Sequence, residues 1–478
     1  MDKKKKQFNV SNICCIGAGY VGGPTMAVIA DKCKDIKVTV VDIDQERINS
    51  WNNSDLNKLP VFEPGLKDIV GRVRKKNLFF STDLENSIKY ADIIFISVNT
   101  PIKSSGLGAG YASDLKWVEK SSRQIADFSE GHTIVVEKST LPVRTAKVIK
   151  DILNSSTKNP EISKTFSILS NPEFLAEGTA IDDLLNPDRV LIGGEDNLAI
   201  QVLSEIYKKW IPPEKILTTN LWSSELSKLV SNAFLAQRVS SINSISALCE
   251  ATGADIKEVS NAVGLDSRIG NKFLNSGPGF GGSCFKKDIL NLVYLCKFFN
   301  LNEVADFWYQ IVLINEWQQK RIYEEIVRKL FGNLSGKTIS ILGFSFKANT
   351  NDTRESPAIK ISRNLLIEGA HLQIYDPKVS THQIKNALND FLEYKQNGEK
   401  TSSWRYFFDI YESIKGSDAI VIATEWNEFI YLDWKKIYSL MRKPAWVFDT
   451  RVILDKVKVK ESGLNFWGVG DGFEKRDI

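Results

Sequence analysis

Asn12-Ile13-Cys14-Cys15-Ile16-Gly17-Ala18-Gly19-Tyr20-Val21-Gly22 is the stretch whose reading decides the fold. Residues 12–16 form a short apolar run that predicts a buried strand. Three glycines at G-x-G-x-x-G spacing follow at once, and an apolar helical pattern runs from Gly23 to about Lys32. Strand, glycine turn and helix in that order make a dinucleotide-binding unit. The first glycine permits the tight turn, the second lets a pyrophosphate approach, and the third lets helix and strand pack closely. The phosphates then meet the positive end of the helix. A second strand, Val38 to Val41, ends in Asp42, twenty residues after Gly22. A carboxylate at that spacing accepts from the ribose 2′-hydroxyl and repels a 2′-phosphate, so NAD is favoured over NADP. Arg47 stands nearby, either stacked on adenine, contacting the phosphate side, or exposed as an ordinary surface arginine.

Further strands extend the sheet. Ala91 to Val98 reads as a strand buried on both faces, ending at Asn99-Thr100-Pro101. Thr133 to Glu137 ends at Lys138-Ser139-Thr140, and Ser167 to Ser170 ends at Asn171-Pro172-Glu173. In doubly wound sheets ligands sit beyond the carboxyl ends of the strands, so these polar groups are expected in one crevice. Each alone could equally be a helix cap. After Gly332 the pattern repeats: Thr338 to Leu342 before Gly343, Leu372 to Tyr375 before Asp376, Asp418 to Ala423, and Trp446 to Phe448. This predicts an α/β chain with two Rossmann-like doubly wound domains, at 1–220 and 332–478. A central helical domain at 221–331, with a long connecting helix, joins them. The second unit keeps one glycine, not three, and suits a different nucleotide or phosphate group.

Composition narrows the function. The 478 residues carry a formal net charge of +4, which gives no nucleic-acid-binding field. Lys3 to Lys6 read as a solvated basic tail. No apolar stretch is long enough to span a bilayer and no signal-peptide core follows the lysines, so a cytoplasmic location is expected. The six cysteines form no CxxC pair or His/Cys cluster, so no metal is expected. Cys14, Cys15, Cys249 and Cys296 read as packing. Three histidines, none in a motif, leave acid–base work to carboxylates, lysine and thiol.

Cys284 stands apart. It ends the glycine-rich run Gly277-Pro278-Gly279-Phe280-Gly281-Gly282-Ser283 and opens the helical pattern that carries Asp288 one turn on. A helix starting at Ser283 would aim its positive end at the thiol and favour thiolate. The competing reading is a buried packing cysteine. Lys228 and Asn232, four apart on a predicted helix from Ser223 to about Thr252, share a face. From the residues alone, a surface pair of Lys228 with Glu225 is slightly favoured over a crevice-facing Lys228.

Five segments together carry a resemblance. They are Glu137-Lys138-Ser139-Thr140, Ser170 to Gly178, Glu225 to Leu229, Gly279 to Phe285, and Asp352-Thr353-Arg354-Glu355-Ser356. They resemble the UDP-glucose 6-dehydrogenases of the UDP-glucose/GDP-mannose dehydrogenase family over nearly the whole chain, most of all the eukaryotic members. The resemblance implies NAD-dependent four-electron oxidation of UDP-glucose at C6 to UDP-glucuronate, releasing two NADH. Cys284 would hold the aldehyde as a thiohemiacetal and then a thioester. Lys228 and Asn232 would stabilise the oxyanion. Asp288 and Glu173, the latter with a water held by Thr140, would handle protons. For NAD it implies Gly17, Ala18, Gly19, Tyr20, Val21, Gly22, Asp42, Arg47, Val98, Asn99, Thr100, Pro101, Ser139, Thr140, Glu177 and Arg354. For the UDP-sugar it implies Glu173, Phe174, Leu175, Lys228, Asn232, the loop from Asn275 through Phe280 to Gly281, Phe346, Lys347 and Arg451. Arg268 resembles an arginine that reaches a neighbouring subunit's sugar site, which implies a homo-oligomer, dimer-based, such as the hexamers common in eukaryotic members.

The chain departs from the family pattern at Asn275 and Ala348, where lysines are common, and at Thr450, where glycine is common. Residues 154–164 read as a polar insertion. Two other classes stay open. A β-hydroxyacid dehydrogenase would oxidise once and need no Cys284, and a non-enzymatic NAD-binding protein would turn nothing over.

Overall fold

A computed structural model describes residues 8–140, 142–155, 164–388 and 402–472. The basic run Lys3 to Lys6 lies outside these residues, as do most of the 154–164 insertion and most of Asn386 to Ser403, a polar run expected to be a surface loop. The chain divides into two compact units: Met1–Ser231 with Leu290–Asn300, and Asn232–Ile289 with Leu301–Ile478.

The first unit carries an eight-stranded sheet. Its strands are β1 (Asn12–Ile16), β2 (Lys37–Val41), β3 (Leu78–Ser81), β4 (Ile93–Ile96), β5 (His132–Glu137), β6 (Thr165–Ser170), β7 (Val190–Gly194) and β8 (Ile216–Thr219). They lie in the order β3-β2-β1-β4-β5-β6-β7-β8, parallel throughout except at the β6–β7 pair. Order reverses between β1 and β4, which makes the switch point of a doubly wound sheet. Adjacent residues of β1 serve opposite layers: Ile13 and Cys15 join one apolar cluster, Cys14 and Ile16 another. Burial pushes the Cys14 thiol up to about 12, as befits packing rather than chemistry.

The second unit has a six-stranded parallel sheet. Its strands are β9 (Thr338–Leu342), β10 (His371–Tyr375), β11 (Ser403–Tyr406), β12 (Ala419–Ile422), β13 (Trp446–Asp449) and β14 (Asn465–Gly468). The order is β11-β10-β9-β12-β13-β14. Helices Ile256–Gly264 and Asn302–Lys329 belong to this unit as well. The division between units falls inside helices Leu221–Thr252 and Phe285–Phe298.

The doubly wound reading holds for both sheets. Five strands escaped it: β3, β7, β8, β11 and β14. Each has four or five residues; four of them are the sheet edges and β7 lies beside one. Leu217 of β8 is 47% exposed, so that strand lacks the unbroken apolar run of a central one. The predicted helix start at Ser283 moves to Phe285.

Candidate active site

In the first unit the glycine turn is built as the spacing predicted. Gly17 has φ +111°, and a Cβ there would stand 2.2 Å from the Ser97 carbonyl oxygen. No L side chain fits. At Gly19 a Cβ would meet nothing within 4 Å, so the backbone faces open space where a pyrophosphate can pass. Asp42 ends β2. Its Oδ2 accepts from Ala18 N–H at 2.8 Å and pairs with Arg47 Nη1 at 3.0 Å. Arg47 also pairs with Asp44 at 3.4 Å, so in this chain it braces the acid. Tyr20 OH donates to buried Glu63 at 2.6 Å, and Glu63 in turn accepts from Gly178 and Ala180 N–H. The nucleotide turn is thereby tied to the loop that holds half-buried Glu177.

The ends of β4, β5 and β6 come together. Ser139 Oγ donates to Val98 O at 2.7 Å, and Thr100 Oγ1 donates to Thr140 O at 3.1 Å. Asn99 and Pro101 flank Thr100 in the same turn. Beyond β6, Glu173 Oε1 accepts from the N–H groups of Phe174 and Leu175 at 2.9 and 3.1 Å. Its Oε2 lies 2.9 Å from the ammonium of buried Lys138. Lys228 is also buried, with Nζ 5.4 Å from the centre of the Phe174 ring, and Arg189 covers that ring at 3.9 Å.

The slightly favoured surface pair of Lys228 with Glu225 is therefore wrong. Glu225 is buried and accepts from Arg144 and Ala146 N–H at 2.7 and 2.9 Å, at the start of helix Thr145–Ser155. An unsatisfied helix N-terminus is a stronger claimant for a buried carboxylate than a neighbouring lysine.

In the second unit Cys284 is exposed, while the other five cysteines are buried. Asp288 N–H donates to the Cys284 carbonyl at 2.9 Å, which puts Cys284 at the cap of the helix beginning at Phe285. Asp288 is buried and accepts from Asn232 Nδ2 at 2.5 Å, with Lys287 Nζ 3.6 Å from its other oxygen. The glycine loop is held by Asn315, whose Oδ1 accepts from Phe280 N–H at 2.7 Å while Nδ2 donates to Phe280 O at 3.0 Å. At Gly279, φ +100°, a Cβ would lie 2.6 Å from that Oδ1.

A cavity of about 440 Å³ adjoins this loop. Asn275, Phe280, Gly281, Phe346, Lys347 and Arg451 all line it. Arg451 is fixed by Ala423 O at 2.9 Å, Phe346 O at 2.7 Å and Glu425 at 3.0 Å. Thr450 turns its hydroxyl to Ile422 O at 2.6 Å and leaves the arginine in the cavity wall. Arg268 is 86% exposed and pairs with Asp266 at 2.6 Å; Arg354 pairs with Asp352 at 2.6 Å. Neither lines this cavity. Among the described residues no group of His, Cys, Asp and Glu is placed to hold a metal ion.

The chain matches known family models in three segments. The NAD binding domain of the UDP-glucose/GDP-mannose dehydrogenase family matches residues 11–211, its central domain 222–317 and its UDP binding domain 340–456. The chain belongs to the UDP-glucose/GDP-mannose dehydrogenase family. It is similar to UDP-glucose 6-dehydrogenase of Drosophila melanogaster, 55% identical over 98% of both chains. The Bos taurus UDP-glucose 6-dehydrogenase is 55% identical over 94% of this chain and 90% of its own. Among solved structures, a UDP-glucose dehydrogenase from Pyrobaculum islandicum aligns with TM-score 0.82 at 28% identity, over 97% of this chain and 99% of that one.

As a member of this dehydrogenase family the chain is an NAD-dependent oxidoreductase. The open face at Gly19 and the acid at the tip of β2 fit that cofactor. Several residues with no individual role assigned from sequence stand in these sites: Lys138, Asn171, Tyr207 and Arg189 in the first unit, Asn243, Lys257 and Glu425 in the second. Lys138 lies inside a quoted motif, but nothing in its neighbours reveals that it is buried. Tyr207 sits in an unremarkable helix, 36 residues from the asparagine it bonds.

Proposed function

We propose that this chain converts UDP-glucose, two NAD⁺ and water into UDP-glucuronate, two NADH and three protons. The observation that carries the reading is the exposed Cys284 thiol at a helix cap, one turn from buried Asp288. Beside the glycine loop that precedes it the unit holds a cavity walled by Phe346, Lys347 and Arg451. NAD⁺, when bound, would supply the hydride acceptor for both oxidations at C6.

The protein's residues do the rest. Cys284 Sγ adds to the C6 aldehyde as the carbonyl oxygen gains charge and then a proton, giving a thiohemiacetal that cannot diffuse away. After the second oxidation the same sulfur holds a thioester, which water cleaves to carboxylate and free thiol. Lys228 and Asn232 supply an ammonium and an amide N–H to the developing oxyanion. Glu173 and Asp288, with a water held by Thr140, move the protons. Phe174, Leu175, Asn275, Phe280, Gly281, Phe346, Lys347 and Arg451 hold the UDP-sugar. Gly17 to Gly22, Asp42, Arg47, Val98 to Pro101, Ser139, Glu177 and Arg354 hold the dinucleotide.

The three-domain division at 1–220, 221–331 and 332–478 goes with this reading. So does a homo-oligomer: Phe234, Leu248, Phe307 and Trp317 expose large apolar side chains on helices Leu221–Thr252 and Asn302–Lys329. Free cysteines throughout accord with a reducing, cytoplasmic setting. No helix among the described residues is long and apolar enough to cross a membrane.

The test is a panel of UDP- and GDP-sugars assayed for NADH release and acid product. Two NADH per UDP-glucose are expected. One per substrate would favour a single oxidation of the β-hydroxyacid type, and binding without turnover would favour a non-enzymatic NAD-binding role.

A further inference from the structure

We infer that Lys138 is a positioning residue for the reaction: from behind Glu173 it fixes the orientation and charge of that carboxylate before substrate arrives. The inference rests on the proton-handling role proposed above for Glu173.

The Lys138 side chain is 4% exposed and that of Glu173 13%. A lysine ammonium has three N–H donors and no acceptor. Three acceptors meet it here: Glu173 Oε2 at 2.9 Å, Asn171 Oδ1 at 3.1 Å and the Tyr207 hydroxyl at 3.4 Å. Tyr207 OH donates to Asn171 Oδ1 at 2.6 Å, and Asn171 Nδ2 donates to Leu191 O at 2.8 Å, so the network is anchored in β7. On the other oxygen, two backbone N–H groups hold Glu173. Rotation of the carboxylate would break contacts at both ends. The main chain of Lys138 is equally fixed, its N–H donating to Ile96 O at 3.0 Å.

A strut alone does not explain an ammonium at this place. Removing the charge from water is expensive, and apolar groups of similar volume fill such sites at no loss. Burial by itself would push the Lys138 ammonium down, yet Glu173 and Tyr207 hold it above the ordinary lysine value. The cation is therefore permanent across the working range. The other titratable groups around it are silent there: burial raises Tyr207, and burial followed by the neighbouring Cys14 raises Cys15.

The test compares K138M, K138R, E173Q and the double variant E173Q/K138M in the full-length enzyme. Steady-state kinetics are taken from pH 5.5 to 9.5, with NADH binding by fluorescence and thermal melts as checks on folding. K138M should lower kcat about 10- to 100-fold, the scale of a misplaced catalytic group. KM for NAD⁺ should stay within about twofold, and the acidic limb of the kcat profile should move to higher pH as the anion loses its cation. K138R should return that limb toward wild type. In the E173Q background K138M should add little, because its target is already gone. A folded K138M with a wild-type limb, or fully multiplicative losses in the double variant, overturns the inference and leaves Glu173's role standing. Wild-type kcat in E173Q removes that role itself, and this inference with it.

Discussion

Cys284 differs from the other five cysteines in its exposure, at a helix cap, and under the proposed mechanism that difference separates reagent from packing. Cys284→Ser keeps size and hydrogen bonding but removes the soft nucleophile. It should cut UDP-glucuronate formation by more than about 10³-fold, the scale at which loss of a nucleophile is read. Affinity for NADH and UDP-glucose should stay within a few-fold, as measured by fluorescence titration and calorimetry. Normal turnover in the variant would refute covalent catalysis. The glycine run and the cysteine were legible in sequence because backbone permissiveness and thiol chemistry are properties of single residues. The fate of Lys228 was not. Whether a lysine four positions from a possible site partner lies on the surface or over Phe174 depends on what packs against its helix.

At the scale of elements, Glu137 closes β5 and Glu225 rises from helix Leu221–Thr252 to cap helix Thr145–Ser155. Both carboxyls are buried. Burial first, then the charge of Glu225, pushes Glu137 well above the ordinary glutamate range. Glu225 accepts two backbone N–H groups, which favour its anion, so the proton of the pair belongs on Glu137. The sign of the linkage follows. The folded state keeps a proton that the unfolded chain loses above about pH 4.3, so this group's contribution is full below that pH and fades as pH rises. Glu137→Gln carries a permanent N–H donor in place of the proton. It should gain stability relative to wild type between pH 5 and 8, measured by urea unfolding, with the gap widening as pH rises. A constant difference across that range would count against a protonated Glu137. None of this pairing was visible in sequence, since the two acids are 88 positions apart.

At the scale of the whole molecule, the proposed homo-oligomer rests on an apolar surface on two long helices and on an arginine turned to solvent. Light scattering at micromolar concentration should report an oligomer. Arg268→Ala should leave the melting temperature within about 1 °C, because an ion pair whose arginine is 86% exposed adds little stability. It should nevertheless raise KM for UDP-glucose severalfold if the side chain reaches a neighbouring subunit's sugar site. An unchanged KM in a protein that still oligomerises would refute that reach.

The sequence by itself determined the two doubly wound units, the NAD turn with its acid, and the glycine loop that leads into Cys284. Each is written in local spacing: glycines where no Cβ fits, a carboxylate at a strand tip, unbroken apolar runs for strands covered on both faces. Only the tertiary structure decided the edge strands, the burial of Lys138 behind Glu173, the sharing of Glu225 between two helices, and the clasp of Asn315 on Phe280. Those are contacts between residues far apart in the chain. A buried polar group must find its partner wherever the fold brings one, and no local pattern records that address.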